Sequence, residues 1–230
     1  MNENVVEQLC PSSQCRHGLE QMRWIRQAAS YQFESKKRIA ADGAQPYLQY
    51  RLALMEIKMS ERIRYAWGIS SLGNFIAAAS DNGLVAFEFG EQGTAMLEAL
   101  QAHFPEAIIE EDPKGLSDTA GKLERLVDHP FRDPRIVLDM RGSDYQKQVW
   151  TMLRKIPAAE TTNYGSLAAR LGTRDARDVT EAIGSNSIAI LVPCHRVVKK
   201  DGSISGYRWG VRRKRILLER ERQAFPFREA

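Results

Sequence analysis

Apolar and polar positions change their period twice along the chain. Residues 1–58 carry two helix-period patches, Leu19–Ser30 and Tyr47–Met59, without clear capping signals, and are expected to form a helical extension (residues 1–60). From Ile63 the period shortens to two. Tyr65, Trp67 and Ile69 alternate, Phe75–Ala79 forms a second run, and Asp81-Asn82-Gly83 precedes a third, Leu84–Phe89. An Asn-Gly pair between apolar runs predicts a hairpin. Helical spacing returns around Leu97, Leu100 and Phe104 and around Leu123, Leu126 and Val127, with short strands predicted at Ala107–Ile109 and Ile136–Leu138. Residues 61–140 therefore read as a small α/β subdomain.

Residues 141–230 read as mostly helical. Ser143 or Asp144 can cap a helix whose apolar positions are Tyr145, Val149, Leu153 and Ile156, stopped by Pro157. A second helix is predicted from about Thr162, with Tyr164, Leu167, Ala168 and Leu171 on one face and Gly172 at its end. After a turn at Thr173 and Arg174, a third runs from about Asp175 to Ile183 and stops at Gly184. Two short helices joined by a tight turn fit a helix-turn-helix or a plain αα-hairpin.

Charge is unevenly divided. Residues 141–230 hold 18 Lys and Arg against 9 Asp and Glu, whereas residues 1–140 hold 15 against 20. Only the helical part has the balance expected of a polyanion-binding surface, although the run Arg212-Arg213-Lys214-Arg215 alone reads as a solvated basic helix. Apolar residues make up 43% of the chain and no apolar stretch reaches membrane-spanning length. The start, MNENVVEQLC, lacks the basic and apolar regions of a signal peptide, so a cytoplasmic location without membrane association is expected. Three cysteines, an odd number, argue against a disulfide framework.

The most reactive string is Pro193-Cys194-His195-Arg196-Val197, which follows the apolar run Ile188–Val192, read as a strand leading to Cys194. A thiol reacts as its thiolate, and an adjacent proton acceptor or cation can populate that form near neutral pH.

The string PCHRVVKKDGSISGYRWGVRRKRILLERE, from Pro193 to Glu221, resembles the active-site region of the O6-alkylguanine-DNA alkyltransferases. The likeness extends back through Asn186, Thr162–Gly165 and Ser143–Trp150 to Arg141, so it covers residues 141–222 well, 61–138 loosely and 1–58 hardly at all. The resemblance implies a ribonuclease-H-like α/β subdomain followed by a helical domain with a helix-turn-helix. It implies stoichiometric transfer of an alkyl group, methyl above all, from O6-alkylguanine, and by extension O4-alkylthymine, to Cys194 after base flipping. His195 would take the thiol proton through a water, Glu221 would orient the imidazole, and Asn186 would tie neighbouring segments together. Tyr164 and Arg177 would bind DNA, the latter filling the space left by the flipped base. Tyr207 and Trp209 would line the pocket, with the Tyr207 hydroxyl stabilising the departing guanine. The implied partner is double-stranded DNA bearing alkylated guanine, bound by a monomer.

Two departures from the family pattern stand out. Asp178, Thr180 and Glu181 occupy positions that the family fills with small residues, and carboxylates near phosphates oppose binding. At the amino terminus only Cys10, Cys15 and His17 offer metal ligands, without the second cysteine pair of a structural zinc site, so neither metal nor other cofactor is expected. An alternative reading is a sensor that binds the lesion with weak transfer activity or none.

Overall fold

The computed structural model describes residues 61–172 and 176–226, with the side chain of residue 176 excepted. The expected extension, with Cys10, Cys15 and His17, and the turn at Thr173 and Arg174 lie outside these residues, as does the expected helix start at Asp175.

A four-stranded sheet forms first. Strands β1 (Arg62–Ser70), β2 (Gly73–Ser80) and β3 (Gly83–Phe89) run antiparallel, and β4 (Ile108–Glu111) adds parallel to β1, giving the order β3-β2-β1-β4. The β2–β3 turn has the tight form expected from its Asn-Gly signal, with Ser80 paired to Gly83. Gly83 has φ +146°, and a Cβ there would stand 2.6 Å from the Val137 carbonyl oxygen, so only glycine lets the two backbones approach. Period-two alternation divides the sheet's faces. Ile63, Tyr65, Ile76 and Val85 pack with Leu100 of helix α1 (Thr94–His103), whereas Phe75, Phe87 and Phe89 meet Leu123, Leu126 and Val127 of α2 (Ser117–Asp128).

That second face is shared with the helical part. Val149, Trp150 and Leu153 of α3 (Asp144–Arg154), Leu167 and Ala168 of α4 (Tyr164–Arg170), and Val179, Ala182 and Ile183 of α5 (Ala176–Gly184) join the same core. Helix α3 begins with a reciprocal capping box: Ser143 Oγ accepts the Gln146 N–H and Gln146 Oε1 accepts the Ser143 N–H. Trp150 Nε1 donates to the Ala182 carbonyl at 2.7 Å, bolting α3 to α5. The last helix, α6, spans Val211–Ala224.

Three expectations are corrected. Ile136–Leu138 is not a strand; Leu138 makes a single bridge with Leu84, and exposed Val137 faces away from any core. Ile188–Val192 bridges Phe87 only at Ile188 and then turns, with Ile190 at φ 64°, so the approach to Cys194 is a buried loop rather than a strand. No neighbouring strand continues along either run, so alternation alone cannot extend them. Thr162–Asn163 forms a short strand, β5, paired in parallel with β6 (Val197–Val198), and α4 therefore starts only at Tyr164, capped by Asn163.

Candidate active site

Cys194, His195 and Arg196 form one 3-10 turn between the buried loop and β6. All three are buried, and the Cys194 residue is 5% exposed. Asn186, at the foot of α5, organises the approach: its Nδ2 donates to the carbonyls of Ile188 (3.3 Å) and Val192 (3.0 Å) and to Cys194 Sγ (3.4 Å), while its Oδ1 accepts the Ile188 N–H (2.9 Å). One side chain thus closes the loop and fixes the sulfur.

Behind the thiol lies a buried ionic cluster. His195 Nε2 is 2.9 Å from Glu221 Oε1, and Arg196 donates through Nε and Nη2 to the same carboxylate. The Ala159 N–H adds a bond to Glu221 Oε2 at 3.1 Å, and Arg196 Nη1 donates to the Ile156 carbonyl at 2.6 Å. Burial works against the Glu221 carboxylate, but its bonds from His195 and Arg196 outweigh that cost and bring its pKa down to about 2. Burial likewise pushes the His195 pKa down, against the pull of Glu221, so the imidazole is neutral at pH 7. A carboxylate only accepts, so Nε2 carries the hydrogen and Nδ1 presents a lone pair. Among the described residues, buried Nδ1 has no hydrogen-bond partner.

Burial pushes the Cys194 thiol up to about 11, against the Asn186 hydrogen bond and the charges of Lys214 and Arg208. At rest the group is therefore a thiol. The Tyr207 hydroxyl is buried close enough to respond to charge on Cys194 and has no hydrogen-bond partner among the described residues. Trp209 packs edge-on against Tyr207 (5.1 Å between centroids) and Phe89 (6.4 Å), with its buried indole N–H unpartnered among the described residues. The structure thus gathers Cys194, His195, Glu221, Asn186 and Tyr207, with Trp209 packed against Tyr207. Tyr164 is half-buried at the start of α4, its hydroxyl 2.9 Å from Ser205 Oγ, and Arg177 lies on the exposed side of α5.

Four participants escaped the sequence reading. Arg196 balances Glu221, Ser205 meets Tyr164, and Arg208 joins the segment before α6 to Glu88 (3.0 Å) and to the Gly184 carbonyl. The fourth corrects the solvated-helix reading of residues 212–215: Lys214 is fully buried and donates to the carbonyls of Val197 and Gly206 and to Ser205 Oγ (2.7 Å). Burial lowers its pKa to about 8. The available signal was helical spacing, because Lys214, Leu217 and Glu221 share one face at i, i+3 and i+7.

A buried cysteine on a tight turn, backed by an imidazole–carboxylate pair, places a nucleophile-type thiol in a basic helical domain. A family model described as the 6-O-methylguanine DNA methyltransferase DNA-binding domain matches residues 144–223. The chain is 41% identical over 162 residues to the bifunctional transcriptional activator/DNA repair enzyme Ada of Escherichia coli, covering 69% of this chain and 45% of that protein. It is also 41% identical over 116 residues to the methylated-DNA–protein-cysteine methyltransferase of Mycobacterium tuberculosis, covering 50% of this chain and 70% of that one. The crystal structure of the O6-methylguanine methyltransferase of M. tuberculosis is similar, with a TM-score of 0.59 at 33% identity over 72% of this chain and 96% of that one. A DNA complex of the same organism's OGT matches with a TM-score of 0.56 at 34% identity over 70% and 93%. The chain belongs to the methylated-DNA–protein-cysteine methyltransferase family. It spans less than half the length of the Ada proteins it matches. Among the described residues no helix is long and apolar enough to cross a membrane.

Proposed function

We propose that the protein repairs DNA by moving the alkyl group of O6-alkylguanine, methyl above all, onto Cys194. The observation that carries this reading is the Cys194 thiol held by Asn186 beside an imidazole whose Nδ1 is a bare lone pair. His195 accepts the thiol proton through a water and Glu221 stabilises the resulting imidazolium. Sulfur attacks the alkyl carbon, the carbon–oxygen bond breaks, and the proton lost by the thiol balances the one gained by guanine. Tyr207 stabilises the departing base, and Trp209 bounds the cavity. The product is a thioether, so each molecule acts once; no cofactor is invoked, and the reading extends to O4-alkylthymine.

Residues 141–230 supply DNA binding and chemistry, and residues 61–140 act as a ribonuclease-H-like scaffold that holds them through a shared core. Helices α4 and α5 pack together and act as a helix-turn-helix on double-stranded DNA, with Tyr164 turning the nucleotide outward and Arg177 filling its place. On this reading the protein works as a cytoplasmic monomer, associated with the nucleoid if its cell is bacterial.

The thiol's pKa of about 11 and the carboxylates of α5 favour a second reading, a lesion sensor with little transfer. Incubation with an O6-methylguanine duplex separates the two. Repair adds one methyl mass to the intact protein, on the peptide containing Cys194. Unchanged mass with retained lesion binding leaves only the sensor.

A further inference from the structure

A tight turn at residues 207–210 leads into α6. The Gly210 N–H donates to the Tyr207 carbonyl at 2.9 Å, so Arg208 and Trp209 take the turn's two central positions, and Gly210 follows at φ +96°. No helix or strand of its own holds this segment.

Two guanidiniums anchor it instead. Arg208 reaches Glu88 of β3 through Nη2 (3.0 Å) and Nε (3.2 Å), and its Nη1 donates to the Gly184 carbonyl at the end of α5 (3.3 Å). Arg213 donates through Nη1 to the Trp209 carbonyl and through Nε to the Leu72 carbonyl, both at 2.8 Å. A guanidinium only donates, so the direction of every one of these bonds is fixed. Glu88 is 9% exposed, and a carboxylate so placed needs a partner.

The same strand holds the other side of the site. The Phe87 N–H donates to the Ser187 carbonyl (2.9 Å) and the Phe87 carbonyl accepts the Ala189 N–H (2.8 Å), which fixes the loop leading to Cys194. Phe89 meets the Trp209 ring. Three consecutive residues of β3 thus hold the nucleophile's loop, Arg208 and Trp209, while Gly184 lies two residues before Asn186, whose amide touches the sulfur.

We infer that Glu88 and Arg208 are positioning residues: the pair fixes the turn at residues 207–210 against β3 and the end of α5, and so sets where Tyr207 and Trp209 stand relative to the Cys194 loop. The α/β subdomain then shapes the pocket as well as supporting it. The inference rests on the proposed function only for the reaction whose rate it sets, and the tether itself is tested without DNA.

Hydrogen–deuterium exchange of the full chain, resolved by peptide mass, reads the tether. Arg208→Gln and Glu88→Ala speed exchange of the peptide spanning residues 207–210 by about tenfold, the scale of one lost charge-assisted hydrogen bond, and leave β1 and α3 unchanged. Arg208→Lys keeps a cation for Glu88 and speeds it by no more than about threefold. The double variant Glu88→Ala with Arg208→Gln exchanges no faster than Arg208→Gln alone. Single-turnover transfer from an O6-methylguanine duplex slows in the same order, by about tenfold for Arg208→Gln and for Glu88→Ala, at unchanged duplex affinity.

The sign of the Glu88 effect is decisive. Arg208 also carries a charge that favours the Cys194 thiolate. Were that charge or a bond to a DNA phosphate its whole role, removing the Glu88 carboxylate would leave the cation less compensated, and transfer would quicken or duplex binding tighten. Either result overturns the inference, as do unaltered exchange at residues 207–210, faster exchange that spreads to β1 and α3, and faster exchange at the turn with unaltered transfer. Absence of methyl transfer in the unsubstituted protein, with the exchange shifts as expected, counts against the repair reading and leaves the tether standing.

Discussion

His195 Nε2 and Glu221 Oε1 stand 2.9 Å apart although 26 residues separate them in sequence, and both side chains are wholly buried. The contact sets the imidazole tautomer, leaving Nδ1 as the only ring atom able to take a proton. Glu221 uses both oxygens as acceptors, toward His195, Arg196 and the Ala159 N–H. A glutamine there must turn its NH2 toward one of these donors. Glu221→Gln is therefore expected to lower the single-turnover methyl-transfer rate by up to about 10⁴-fold, the scale seen when a carboxylate orienting a catalytic imidazole is neutralised. Quenched-flow transfer from a labelled duplex measures it; a loss smaller than threefold would remove Glu221 from the mechanism.

The same carboxylate makes stability depend on pH. Its folded pKa of about 2 lies below the ordinary 4.5, so the folded state holds the proton less tightly than the unfolded chain. The stabilisation is complete above about pH 4.5 and is lost as pH falls toward 2, amounting to at most about 3 kcal/mol. Urea unfolding at stepped pH should show a decline through this window that is shallower in Glu221→Gln. Equal slopes would mean that other carboxylates carry the acid sensitivity.

Asn186 unites structure and chemistry, since its amide spans Ile188, Val192 and the Cys194 sulfur. Asn186→Ala strands a buried N–H and weakens two carbonyl contacts, at an expected cost of about 2–3 kcal/mol in urea unfolding. It also removes a bond that favours the thiolate, so the thiol pKa rises further. A variant less stable by this amount but with an unshifted iodoacetamide pH profile would confine Asn186 to a structural role.

Features written in local sequence were legible. The Asp81-Asn82-Gly83 turn and the Ser143–Gln146 cap depend on neighbouring residues alone, and both elements form where expected. Ile188–Val192 was misread because a buried turn and a buried strand demand the same apolar side chains; only how far the pairing with β3 continues past Ile188 distinguishes them. At the site, the Cys194–His195 adjacency was visible, but Glu221 could be chosen over Glu219 only through resemblance. In the fold Glu221 is buried, whereas Glu219 pairs with Arg222 at the surface. Lys214 was hidden by its basic neighbours, since composition cannot tell which member of a charged run points inward.

The exposed side of α5 sets the terms for DNA binding. Val179, Ala182 and Ile183 face the core, leaving Arg177, Asp178, Thr180 and Glu181 toward solvent. Asp178 and Glu181 line a cleft of about 250 Å³ with Ser143, Gln146 and Ala182, so both charges stand on one side of the helix that carries Arg177. If α5 enters a groove, each carboxylate faces a phosphate-rich wall and opposes the basic balance of residues 141–230. Asp178→Ala with Glu181→Ala should tighten duplex binding by about tenfold at low salt, with less gain as salt screens the repulsion. The isosteric pair Asp178→Asn and Glu181→Gln should reproduce most of the gain, because charge rather than bulk is the obstacle. Fluorescence anisotropy with a labelled duplex at two salt concentrations measures both. Unchanged affinity in both double variants would turn that side of α5 away from the duplex, and Arg177 with it.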